Sequence, residues 1–130
     1  ARVISQLNIP AEMVVLSACN TGTGKVISGE GVMGLQRAML SAGASSVLVS
    51  LWNIFDRSTP IFMNKFYHQL LELEDQETSI FDRIKMYADM YEPDLIDYKT
   101  LALQEAKIEM INHPYYNHPV HWAPFILTGK

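Results

Sequence analysis

The apolar positions of the chain fall into two kinds of pattern. Met13-Val14-Val15-Leu16-Ser17-Ala18 is apolar on both faces and β-branched at its centre. A short run of that kind predicts a strand buried within a parallel sheet. Ser46-Val47-Leu48-Val49-Ser50-Leu51-Trp52 repeats the pattern, and Phe125-Ile126-Leu127-Thr128 predicts a last strand. Between the first two strands lie a polar loop, Asn20 to Lys25, and Gly29-Glu30-Gly31. Val32, Leu35, Met39 and Ala42 then recur at helical spacing, with Gly43 as the stop. Ser58 or Thr59 can cap a second helix with Pro60 at its first position, and Phe62, Phe66, Leu70 and Leu73 line its inner face. The acidic stretch Glu72 to Glu77 reads as a solvated break. Ile80, Ile84 and Tyr87 mark another helix, ended by Pro93. Leu103, Ala106 and Met110 mark one more, from about Lys99 to Asn112, before a Pro- and His-rich turn from His113 to Pro119. Strand, helix, strand, helices, strand describes part of a layered α/β domain with a mostly parallel sheet and helices on both faces.

Composition narrows this picture. With 48% of 130 residues apolar, the chain can bury a core, so a disordered chain is not expected. The net charge is −4 and no Lys or Arg block exists, so a nucleic-acid contact is not expected. A single cysteine excludes a disulfide scaffold and fits a reducing cytoplasm. No apolar run is long enough to span a bilayer, so no membrane partner is expected. The opening Ala1 to Leu7 has neither a helix cap nor an initiating Met, which predicts a fragment or a processed piece.

That cysteine is also the candidate nucleophile. Cys19 follows the carboxyl end of the first predicted strand, the edge of an open α/β sheet where ligands and catalytic groups collect. A thiol attacks only when something takes its proton, usually a histidine. The plainer reading is a small buried residue, since free cysteine is among the most buried types. Ser50 and Trp52, towards the end of the second predicted strand, are the candidate substrate-side residues; Trp52 is either core or a pocket wall, and Asp56 can favour the start of the next helix.

Leu16-Ser17-Ala18-Cys19-Asn20-Thr21-Gly22 resembles the nucleophile motif of the CHAT family, caspase-like cysteine peptidases often joined to tetratricopeptide repeats. Gly29-Glu30-Gly31-Val32-Met33-Gly34-Leu35, Ala42-Gly43-Ala44 leading to Ser50-Leu51-Trp52, and His121-Trp122-Ala123-Pro124-Phe125-Ile126-Leu127-Thr128-Gly129 resemble its next motifs, in order. The resemblance implies that residues 1–130 are the C-terminal portion of one caspase-like three-layer sandwich. It implies Cys19 as nucleophile, with its own amide as one oxyanion donor. It implies a protein substrate, no metal or organic cofactor, and a repeat or other regulatory domain as partner. Leu51-Trp52-Asn53-Ile54-Phe55-Asp56 is similar to a stretch of the related separases, which implies that Asp56 faces a basic substrate side chain. Two departures stand beside these likenesses. Caspase-like enzymes carry the catalytic His roughly 50 residues before the Cys, whereas 18 residues precede Cys19 and all four histidines follow it. The His-bearing half is therefore expected upstream, and this chain alone is expected to be inactive. The stretch from about Ser79 to Thr100 is longer than the usual connection and is expected to dock on a regulatory partner.

Other signals carry less. Gly22-Thr23-Gly24-Lys25 lacks the Gly and the Ser or Thr of a phosphate loop, because Cys19 and Val26 occupy those places. His113, His118 and His121 have a zinc-like spacing, but prolines interrupt them and no second cysteine exists, so a surface turn is expected. Glu30 can serve a helix N-terminus as well as chemistry. The alternative to an enzyme is a noncatalytic CHAT-like interaction module that keeps the fold without a working dyad.

Overall fold

The computed structural model describes residues 3–16, 29–52, 54–84 and 98–129. It divides into two compact units, Ala1–Asp56 with His118–Lys130, and Arg57–Asn117.

The first unit is built on a sheet of three strands in the order β1 (Met13–Leu16), β2 (Ser46–Ser50), β3 (Phe125–Gly129). Helix α1 (Gly29–Ser41) connects β1 to β2, which pair in parallel with Leu16 opposite Val49. Parallel neighbours need such a crossover, because the chain must return to the edge from which it started. β3 runs antiparallel to β2, with Ser50 opposite Phe125 and Val47 opposite Thr128. The mostly parallel sheet expected from the pattern is thus a mixed one among the described strands, since β3 enters from the edge at which β2 ends.

All five β2 residues are buried, whereas the four of β1 are half-buried. β2 lies in the middle of the sheet and β1 pairs on one side only among the described residues, which accounts for the difference from two equally buried strands. Alternation along β2 sends Val47 and Val49 to one face. They join Val14, Leu16 and Ile126 against Val32, Met39 and Leu40 of α1. Full burial of one such side chain contributes about 1.5–3 kcal/mol. One polar side chain enters this layer. Gln36, 3% exposed, donates from Nε2 to the Thr128 hydroxyl at 2.6 Å, with the Val47 carbonyl at 3.5 Å.

Gly43 ends α1 as the pattern predicted. Its φ is +112°, and the amides of Gly43 and Ala44 turn back to the carbonyls of Leu40 and Met39. The segment before β1 is laced to this end of the helix, with Ile9 N–H donating to Ala42 and Ser45 N–H donating to Ala11. A side chain at Gly43 would place its Cβ 3.2 Å from the Ile9 carbonyl oxygen. At the end of β3, Gly129 (φ +117°) passes so close to the Ser45 carbonyl that no Cβ fits there.

The second unit packs α2 (Ser58–Ile84) against α3 (Tyr98–Ile111). Ser58, Phe62 and Phe66, four residues apart, are buried on α2. Lys99, Ala102, Leu103, Ala106 and Met110 form the buried stripe of α3. Lys65 Nζ donates to Glu109 at 3.0 Å and Gln69 donates to its other oxygen at 2.8 Å. Lys65 holds the Glu109 carboxyl below its ordinary range, while burial alone pushes Lys107 down.

Two expectations are corrected here. The acidic stretch Glu72 to Glu77 is not a break, and no new helix begins near Ile80, because α2 runs unbroken to Ile84. Glu, Leu and Gln are good helix formers, and neither Gly nor Pro stands between 61 and 84. His68 and Glu72 meet at 3.4 Å, one turn apart, across the start of the supposed break. The long stretch from Ser79 therefore begins as helix, and its residues 85–97, with Tyr87 and Pro93, lie outside the described residues. Pro60 is the third residue of α2 rather than the first, still within the turn whose amides have no helical acceptor. No described helix is long and apolar enough to cross a membrane.

Candidate active site

The register brings three chain ends to one edge of the first unit's sheet. β1 and β2 are parallel, so Leu16 and Ser50 both lie at their carboxyl ends. β3 is antiparallel, so its first residue, Phe125, arrives at the same edge opposite Ser50. Residues 51–52 and 54–56 meet the segment 118–124 there, and β1 ends at the same edge. Cys19 comes three residues after Leu16 and lies outside the described residues, as do Asn20 to Lys25.

The predicted substrate-side residues differ in exposure. Ser50, 1% exposed, is buried in the sheet. Trp52 is 41% exposed, and Asp56 is exposed at the end of the same segment. Phe55, next to Asp56, is 48% exposed. Large aromatic groups left in solvent beside a sheet edge offer apolar area to a ligand.

These aromatics are held by the turn before β3. Leu51 N–H donates to the Pro124 carbonyl at 2.9 Å. Trp52 Nε1 donates to the Val120 carbonyl at 3.4 Å, a contact spanning 68 residues of sequence. The rings of Phe55 and His121 lie 5.0 Å apart at 55°. The turn itself is a short 3-10 segment, Pro119–His121, capped by His118, whose Nδ1 accepts the Val120 amide at 3.2 Å.

The histidine-rich turn thus has a structural use. His113 Nδ1 accepts the amides of Tyr115 and Tyr116 at 3.1 and 3.2 Å, and His118 acts in the same way on Val120. Among the described residues no group of His, Cys, Asp and Glu side chains could hold a metal ion. The prolines gave some sign of a turn, but nothing local in the sequence pointed to His118 as a cap or to His121 as a ring partner.

Comparison with known proteins agrees with the motifs. The CHAT domain profile matches residues 1–130. Tetratricopeptide repeat protein 28 of Homo sapiens is 32% identical over 127 residues, which is 98% of this chain and 4% of that protein. The protein of the same name from Mus musculus is 29% identical over 124 residues, 95% of this chain and 4% of that protein. The chain spans about 4% of the length of these curated relatives. No solved structure matches it.

Proposed function

The chain belongs to the CHAT domain family, and from that premise we propose that it carries the nucleophile-bearing part of a caspase-like cysteine endopeptidase. The observation that carries this reading is the shared edge. The strand that leads to Cys19, the strand that leads to Trp52, and the turn that holds Trp52 all reach one side of the sheet. In this reading the sheet belongs to a three-layer sandwich completed by residues upstream of Ala1, among them the catalytic histidine.

Its imidazole takes the Cys19 thiol proton, and the thiolate attacks the scissile carbonyl carbon. The oxyanion is held by backbone amides, that of Cys19 among them. Collapse of the tetrahedral adduct breaks the C–N bond, and the imidazolium returns its proton to the leaving amine. Water then attacks the thioester, which releases the acid and restores the thiol. Trp52 and Asp56 serve the substrate side, with the exposed Asp56 carboxylate favouring Arg or Lys, and Ser50, buried in the strand, supports the edge from beneath. A tetratricopeptide-repeat or other regulatory domain gates the site, in keeping with the relatives' name.

The test is peptide-library hydrolysis by a longer chain that includes the upstream histidine. Hydrolysis that Cys19→Ala abolishes supports the proposal. A folded long chain without activity, or activity indifferent to Cys19→Ala, overturns it and leaves a noncatalytic interaction module.

A further inference from the structure

We propose that His118 is a positioning residue which fixes Trp52 at the sheet edge through the Val120–His121 peptide. Its consequence for substrate rests on the catalytic reading above. His118 has extended backbone (φ −65°, ψ 136°) and is followed by Pro119, whose ring fixes the first position of the turn. From there it brackets Val120 on both sides. Its Nδ1 accepts the Val120 amide at 3.2 Å, and its carbonyl accepts the His121 amide at 3.0 Å.

The His121 N–H and the Val120 carbonyl belong to one planar peptide and point in opposite directions. Holding the N–H toward His118 therefore aims the carbonyl the other way, where Trp52 Nε1 meets it. Two further contacts join the same segments: Leu51 N–H to the Pro124 carbonyl, and the Phe55 ring against His121. The histidine turn is thus the backing of the exposed aromatic pair. An indole 41% exposed is packed over only part of its surface, and the contact of its Nε1 with the Val120 carbonyl at 3.4 Å helps to select its rotamer. An aromatic wall already in place spares a substrate the entropy of ordering it, an effect of about two- to tenfold in binding.

The experiment uses fluorotryptophan-labelled chain and fluorine NMR. The sequence has two tryptophans, and Trp52→Phe assigns the resonances. His118→Ala keeps the backbone carbonyl that accepts the His121 amide but releases the Val120 amide from Nδ1, which loosens the turn and is expected to shift or broaden the Trp52 signal. His118→Asn, which keeps a side-chain acceptor suited to capping, is expected to restore it. In the long, active chain, His118→Ala is expected to raise KM about two- to tenfold with kcat kept, and His118→Asn to reverse the change. A Trp52 signal indifferent to His118→Ala in a folded chain overturns the proposal, as does a shift that His118→Asn leaves in place. A moved resonance with unchanged KM overturns the effect on substrate. Expected resonances in a long chain that cleaves nothing uphold the positioning and overturn the catalytic reading instead.

Discussion

Thr128→Val and Gln36→Leu remove the two ends of one hydrogen bond, yet they are expected to differ in effect. Gln36 is buried on α1 and its Nε2 donates to Thr128 at 2.6 Å. The Val47 carbonyl, at 3.5 Å, is at the outer limit of a hydrogen bond and compensates little. Thr128→Val therefore strands a buried amide donor, which costs about 1–3 kcal/mol. Gln36→Leu removes the donor itself. Thr128 lies on an exposed part of β3, so its hydroxyl can turn to water, and the leucine gains apolar burial against the Val47 and Val49 layer. The net loss is about 0–1 kcal/mol. In the double variant no stranded donor remains, and its stability is expected within about 1 kcal/mol of the parent. Urea unfolding followed by circular dichroism reads all four proteins. With slopes of about 1–3 kcal/mol/M, Thr128→Val lowers the midpoint by about 1 M. A Thr128→Val loss no larger than that of Gln36→Leu, or a double variant worse than the sum of the singles, refutes the reasoning.

The Glu109 carboxyl is held low, chiefly by the hydrogen bond from Lys65. Its contribution is therefore present above the ordinary carboxylate range, lost as pH falls through the lowered folded value, and absent in Glu109→Gln. Stability against pH should show that acid limb only in the parent, with a difference at pH 7 of about 0.2–1 kcal/mol, since the group is partly exposed. Lys107 is pushed down by burial, so its stability deficit is present below the lowered folded value and disappears as pH rises toward the ordinary lysine range. Lys107→Met should raise the thermal midpoint at pH 7 and remove that alkaline gain. Gly43→Ala forces a side chain onto φ +112° and against the Ile9 carbonyl, a loss of about 1–2 kcal/mol. Scanning calorimetry should show a thermal midpoint lower by several degrees. Asp56 is exposed, so in the long, active chain Asp56→Ala should weaken any preference for Arg or Lys by no more than about fivefold. A larger effect in peptide-library profiling would show that substrate buries this carboxylate.

Where a signal was local, the sequence disclosed it. The β-branched runs located β1 and β2, Gly43 located the end of α1, and the spacing of Leu103, Ala106 and Met110 located α3. Charge misled at Glu72 to Glu77, because an acidic face on a long helix and an acidic loop are alike in composition; propensity and the missing Gly and Pro separate them. β3 was recognised as a strand, but its direction depends on pairing with β2, which no property of Phe125 to Gly129 reveals. For the same reason Trp52 could be read as core or pocket wall. One contact that holds it is with Val120, 68 residues away. The motifs identified the family, while the partners of the candidate residues became visible only in three dimensions.

The position of β3 ties these features into one argument. A strand that slips by one residue turns every side chain to the opposite face. Here such a slip would take Thr128 away from Gln36 and Ile126 out of the α1 layer. It would also bring another residue to the place where Gly129 passes the Ser45 carbonyl, a place with no room for a Cβ. Three constraints of different kinds thus select one register: a hydrogen bond, an apolar layer and a steric limit. That register sets where β3 begins, opposite Ser50, and so how far the turn before it reaches along the edge. Pro124 then meets Leu51, and Val120 meets Trp52. The aromatic wall depends on α1 as well as on its own turn, because Gln36 and the α1 layer hold the strand from which that turn projects.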